Sequence, residues 1–313
     1  MMHWLHRALL ALLTLGCAAA ACAQADCPPT PRPFSPELFR QAAPHARDRG
    51  LLWAISKDGR TSYLYGTLHV GRAQWMSPGP GLKQALQASQ VLALELDPLD
   101  ETIQRELAKG FASVKRTLTP ATLRRLQAAW AAACLPADTL ARGAPELQVF
   151  DLMIADAMRE GLSPLYGSEI LLSMMARGLG RSVVSLETVA QQLEALMARD
   201  DAEAEGYVVD TLDDLERGKG RAVVLRTAEV WERGDLAQME RYAQWCECID
   251  SESERKLMKR LLEDRNPGLA DSVDRLHAQG KTVLAAVGAL HLPGAGGLAA
   301  LLAIKGYAVR RVH

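Results

Sequence analysis

Alternation of apolar and polar positions marks the first ordered stretch of the chain. Leu51 to Ser56 and Thr61 to Val70 read as two strands, and Lys57-Asp58-Gly59-Arg60 between them carries the Asp-Gly pair that favours a hairpin turn. Val91 to Leu96 (VLALEL) is a short apolar run and predicts a strand buried on both faces. Between Asp100 and Met239 the spacing changes to the helical period, as in Thr119 to Ala133 with its Thr-Pro start and in Val149 to Arg159. One β-type run, Ser182 to Leu186, interrupts this region. Beyond Ser251 the pattern reads helix, helix, strand (Thr282 to Val287), helix (Ala295 to Ile304) and strand (Tyr307 to Val312). Strands near both ends around a helical middle predict an α/β or α+β fold. Its central sheet draws strands from both chain ends and carries a large helical region at about residues 100–280.

Composition narrows the class. The chain has 313 residues, 49% of them hydrophobic and 23% charged, enough for a sizeable core in one large or two small domains. With 36 Lys+Arg against 37 Asp+Glu there is no basic footprint for nucleic acid, and 5% aromatic content gives few stacking platforms. The N-terminus adds a compartment. His3, His6 and Arg7 flank an apolar run, Ala8 to Ala21, that is shorter than the roughly 20 residues of a membrane span. It ends at Ala23-Gln24-Ala25, the small-residue pattern of a cleavage site. The expectation is a signal peptide at 1–25, a Pro-rich lead-in at 26–49 and a single domain at 50–313, periplasmic or secreted. Nothing after residue 25 is apolar for long enough to serve as a transmembrane anchor. Export also favours disulfides among Cys27, Cys134, Cys246 and Cys248. Because one residue separates Cys246 from Cys248, each is expected to pair with one of the two distant cysteines.

Candidate chemistry gathers at strand ends. Tyr65-Gly66-Thr67-Leu68-His69 and Val287-Gly288-Ala289-Leu290-His291 both run from a strand into Gly-x-x-His. Carboxyl ends of strands in open α/β sheets are where ligands bind, and glycine there lets backbone approach closely. Glu95 sits in the apolar Leu94-Glu95-Leu96-Asp97, where a charge is rarely buried unless paired or metal-bound. Glu187 follows Ser185-Leu186 in the same kind of position, and Glu169 in Tyr166-Gly167-Ser168-Glu169 suits the first turn of a helix. Arg265-Asn266-Pro267 closes one helix and opens the next, and its arginine can pair with a carboxylate of the site or of a substrate. No Gly-x-Ser-x-Gly, Walker loop, His-Glu-x-x-His or Gly-x-Gly-x-x-Gly occurs.

Taken in order, these motifs, closed by Gly306-Tyr307-Ala308-Val309, resemble the TraB/PrgY/GumN family, in its exported GumN-type bacterial branch. That family is similar to the Tiki metalloproteases, and the resemblance implies a fold related to erythromycin esterase and the ChaN proteins. It implies metal or catalytic roles for His69, Glu95 and His291, and marks Glu187 and Arg265 as lining the site. The expected activity is a metal-dependent hydrolase, peptidase-like, with a divalent metal (Mn, Co or Zn) on His69, Glu95 and His291. Glu95, Glu187 and Arg265 would be catalytic, and Tyr65, Gly66, Glu169 and Gly288 would contact a peptide or small-molecule substrate. The rival expectation is a haem- or peptide-sequestering envelope protein, with Tyr63 or Tyr65 beside His69 as an iron ligand. The pattern leaves oligomeric state open.

Overall fold

The Asp-Gly turn closes as its residues demand. Asp58 and Gly59 both have positive φ (52° and 70°), the conformation of a two-residue hairpin turn, and Lys57 pairs directly with Arg60 across it. The hairpin belongs to a computed structural model that describes residues 27–140 and 143–313; the expected signal peptide, 1–25, lies outside the described residues.

Six strands form one mixed sheet, in an α/β arrangement. They are β1 (Leu52–Lys57), β2 (Arg60–Thr67), β3 (Val91–Leu94), β4 (Ser182–Ser185), β5 (Val283–Gly288) and β6 (Ala308–Arg311). The spatial order is β4-β3-β5-β2-β1-β6, so the two chain ends do supply neighbouring strands. β4, β3, β5 and β2 are mutually parallel, while β1 runs antiparallel to both β2 and β6. Parallel strands need covering on both faces, which explains the unbroken apolar runs of β3 and β5. Leu92, Leu94, Val283, Leu284 and Ala285 are all fully buried.

Helices supply the cover. Ser168–Gly178 packs against β3 and β4, and Asn266–Ala278 packs against β5. Helices Pro120–Ala132, Pro145–Arg159 and Asp201–Glu216 bury a second cluster around Leu126, Trp130, Val149, Leu152, Val208 and Leu212. Thr119 caps the Pro120 helix from its side chain, at the Thr-Pro start the sequence offers, and Thr188 with Gln191 forms a capping box. That box starts a helix immediately after Glu187 and so fixes where β4 ends. Among the described residues no helix is long and apolar enough to cross a membrane.

The disulfides correct the expectation. Cys27 bonds Cys134 and Cys246 bonds Cys248, with Cα separations of 5.5 and 5.0 Å. The short pairing is possible because Glu247 adopts a left-handed conformation (φ 50°), which turns the chain between the two cysteines. Cys134 and the Cys246/Cys248 pair adjoin helices, following Pro120–Ala132 and Tyr242–Trp245. The two bonds constrain the unfolded chain very differently, since one joins residues 107 apart and the other residues 2 apart. Replacing Cys27 and Cys134 by serine is therefore expected to cost about 2–5 kcal/mol in urea unfolding, and replacing Cys246 and Cys248 distinctly less. Equal losses would contradict this.

Candidate functional site

Because β4, β3, β5 and β2 are parallel neighbours, their carboxyl ends share one edge. Leu94 lies opposite Ser185 on one side and Ala286 on the other, and Thr67 lies opposite Gly288. Just past these positions the chain places Glu187, Glu95, His291 and His69, one after each strand. The two Gly-x-x-His turns thus leave adjacent strands in register.

Arg265 ties three of the four together. It stands between a π-helical turn, Lys259–Glu263, and the helix Asn266–Ala278, and its Nη1 donates back to the Leu261 carbonyl at 3.0 Å. Nη2 donates to Glu95 Oε2 at 2.5 Å and to Glu187 Oε1, while Nε donates to Glu187 Oε2 at 3.2 Å. Nη1 also lies 3.2 Å from His291 Nε2. All four side chains are buried, with 4–11% of their surface exposed.

Asn266 sets the state of His291. Its Nδ2 donates to the Gly296 carbonyl at 2.8 Å, which turns its Oδ1 toward His291 Nδ1 at 2.6 Å. An amide oxygen only accepts, so Nδ1 carries the proton and Nε2 keeps a lone pair directed at Arg265. On the other side, the Gly288 N–H donates to Glu95 Oε1 at 2.6 Å. A Cβ at Gly288 would stand 3.3 Å from that oxygen and 3.5 Å from His291 Cδ2, so glycine lets the carboxylate reach the backbone.

His69 is held differently. Its Nδ1 is 2.8 Å from Glu169 Oε1, and 65% of its side chain is exposed, so it lies at the surface. Glu169 occupies the first turn of Ser168–Gly178, where the helix N-terminus favours a carboxylate. Ser168 Oγ accepts from the Leu68 N–H at 2.8 Å and pins the loop that carries the histidine.

These surroundings separate the two histidines. The Glu169 carboxylate beside it raises His69 to about 9. Burial lowers His291 to about 4, although Glu95 opposes it. Burial alone would raise Glu95, but His291, Arg265 and His69 together hold it down at about 2. At neutral pH His291 is uncharged, so Arg265 is the chief cation keeping Glu95 ionised. Glu187 is raised by burial, with Arg265 opposing.

A pH dependence of stability follows. Between an ordinary histidine's 6.5 and the folded 4, the unfolded chain binds a proton at His291 that the folded chain does not. Stability therefore falls as pH drops from about 6.5 to about 4. Glu95 extends the loss in the same direction between 4.5 and about 2. Urea midpoints at pH 7, 5.5 and 4 read this out, and a His291→Gln variant should lose the first step. A midpoint constant from pH 7 to 4 would contradict it.

The donor chemistry suits a divalent transition metal: an imidazole lone pair held by an amide, and carboxylates beside it. The arrangement does not fit one. Among the described residues no three His, Cys, Asp or Glu side chains are grouped to hold an ion, and Arg265 presents its guanidinium to Glu95, Glu187 and His291 instead. His69 turns to Glu169.

Two of the expected substrate contacts are packing residues. Tyr65 is 2% exposed, its hydroxyl donates to the Arg49 carbonyl at 3.0 Å, and its ring meets Trp231 edge-on. Gly66 is buried, and its carbonyl accepts from Trp231 Nε1 at 2.7 Å. A Cβ there would come within 3.1 Å of Ala289, so this glycine allows β2 to lie close against the second Gly-x-x-His turn. Sequence reasoning assigned Asn266 to the helix start alone and missed its bond to His291. An amide directly before proline, next to an unexplained arginine, was the available signal.

No curated protein and no solved structure matches the chain. The profile of the TraB/PrgY/gumN family matches residues 51–311, which takes in all six strands and every site residue described above, and the chain belongs to that family.

Proposed function

We propose that this chain is an exported hydrolase that cleaves a peptide or a similar acyl compound at the carboxyl edge of its sheet. The observation that carries the reading is the meeting of Glu95, Glu187 and His291 on the guanidinium of Arg265 at that edge, with a separate His69–Glu169 pair whose histidine is exposed. Hydrolysis needs a base for water, charge against the oxyanion and an acid for the leaving group. Glu187, raised above the usual carboxylate value, takes the proton of the attacking water. Arg265 faces the charge that develops on the carbonyl oxygen, held in place by Glu95. His69, protonated at neutral pH and exposed, returns a proton to the leaving group. No step in this scheme runs through the divalent ion, Mn, Co or Zn, that the resemblance implies on His69, Glu95 and His291, because those side chains engage Glu169, Arg265 and Asn266 instead.

The test is turnover of a peptide library by the mature protein. Wild type is expected to cleave a subset of peptides, and His69→Ala to lower the rate about 10²-fold with its unfolding midpoint retained. Tight peptide or haem binding without cleavage by wild type, lost in His69→Ala, would replace the hydrolase with the sequestering role.

A further inference from the structure

The donor set and its arrangement disagree, and the disagreement centres on one side chain. Glu95, Glu187 and the lone pair of His291 Nε2 all point at the same guanidinium, each within 3.2 Å of one of its nitrogens. A histidine nitrogen and two carboxylates are also a common donor set for divalent transition metals. We infer that the Arg265 guanidinium and a divalent cation are alternative occupants of this site, with Arg265 the resident one.

Three features make Arg265 a fixed occupant rather than a passing surface charge. Its backbone is set by the π-helical turn Lys259–Glu263 behind it and by Pro267 in the first turn of the helix ahead. Its Nη1 is tied to the Leu261 carbonyl of its own helix. Its charge answers two buried carboxylates at once. A divalent ion entering among the same oxygens would meet that positive charge in a poorly solvated space, where repulsion between cations is strong. Occupation by the ion therefore requires the arginine to leave. This inference concerns what fills the site and is read by binding, so it stands or falls apart from the turnover scheme above.

The experiment titrates the mature protein with Mn²⁺ and with Zn²⁺ by calorimetry, in wild type, Arg265→Ala and Arg265→Ala/His291→Ala. The first replacement is expected to tighten binding at least about tenfold, a coupling typical of linked sites, and the second to remove the gain. Equal affinities in wild type and Arg265→Ala would overturn the inference while leaving a metal site in place. Absence of uptake by Arg265→Ala at millimolar ion would overturn it together with the metal expectation, and would leave the hydrolase scheme to its own assay. Wild type alone supplies a second reading that needs no folded variant. The Nε–H resonance of Arg265, protected by its bond to Glu187, should lose its protection as Zn²⁺ saturates the site. Its persistence at saturation would equally overturn the inference.

Discussion

Glu187→Gln is expected to lower peptide turnover about 10²–10⁴-fold, the range that a positioned general base contributes. The replacement keeps the shape of the side chain and one of its two acceptors for Arg265, and it removes the negative charge together with the capacity to take up a proton. Glu187 is suited to that role by its surroundings. It stands just past the end of β4, is mostly buried, and its carboxyl is pushed above the ordinary value by that burial. Glu95 shares the same guanidinium, yet it is held at about 2 and accepts from the Gly288 N–H, so it stays ionised and serves as an anchor. The two carboxylates thus differ in proton affinity although both pair with Arg265, and the more basic one is the better acceptor. The measurement is kcat/KM against pH. Wild type should lose activity on acidification through the pKa of Glu187, and Glu187→Gln should be flat over that interval. A Gln variant that retains more than a tenth of the rate would move the base elsewhere, with His291 the next candidate.

Much of this site was legible in the sequence because the fold puts like positions together. Glu95, Glu187 and the two histidines each follow a short apolar run, and in a parallel sheet every such run ends on the same edge. The strands that lead into His69 and His291, far apart in the chain, become neighbours as β2 and β5. Other features depend on tertiary contacts that no local pattern encodes. Arg265 lies at a helix junction, and only the packing of Asn266–Ala278 against β5 brings it over the sheet edge. Tyr65 sits on the strand that carries a site motif, but alternation turns its ring into the core toward Trp231. The Cys246–Cys248 bond was misjudged for a local reason: loop length alone disfavours it, whereas Glu247 enters the left-handed region and makes room for it. The same resemblance that named His69 as a metal ligand could not foresee that Glu169 holds its Nδ1.

Removing the guanidinium should produce the largest loss of stability of any single change at the site. Arg265→Leu is expected to cost about 3–5 kcal/mol, because it leaves two buried carboxylates without their counter-charge. Glu95 and Glu187 expose only 9% and 6% of their side chains, so water replaces little of what the arginine supplied. His291 would also lose the donor at its Nε2, although Asn266 still holds the other side of the ring. At roughly 2–4 °C per kcal/mol for a domain of this size, the melting temperature should fall by about 6–20 °C at pH 7. Acid should shrink the penalty, since protonation of the stripped carboxylates removes the buried charge; the difference between wild type and variant is expected to narrow toward pH 4. The triple change Glu95→Gln/Glu187→Gln/Arg265→Leu should recover much of the loss, because the amides carry no charge to bury. Matching melts for Arg265→Leu and wild type would mean that solvent, rather than the arginine, balances these carboxylates. In that case the buried ion-pair network could not be what holds the four strand ends in their present geometry.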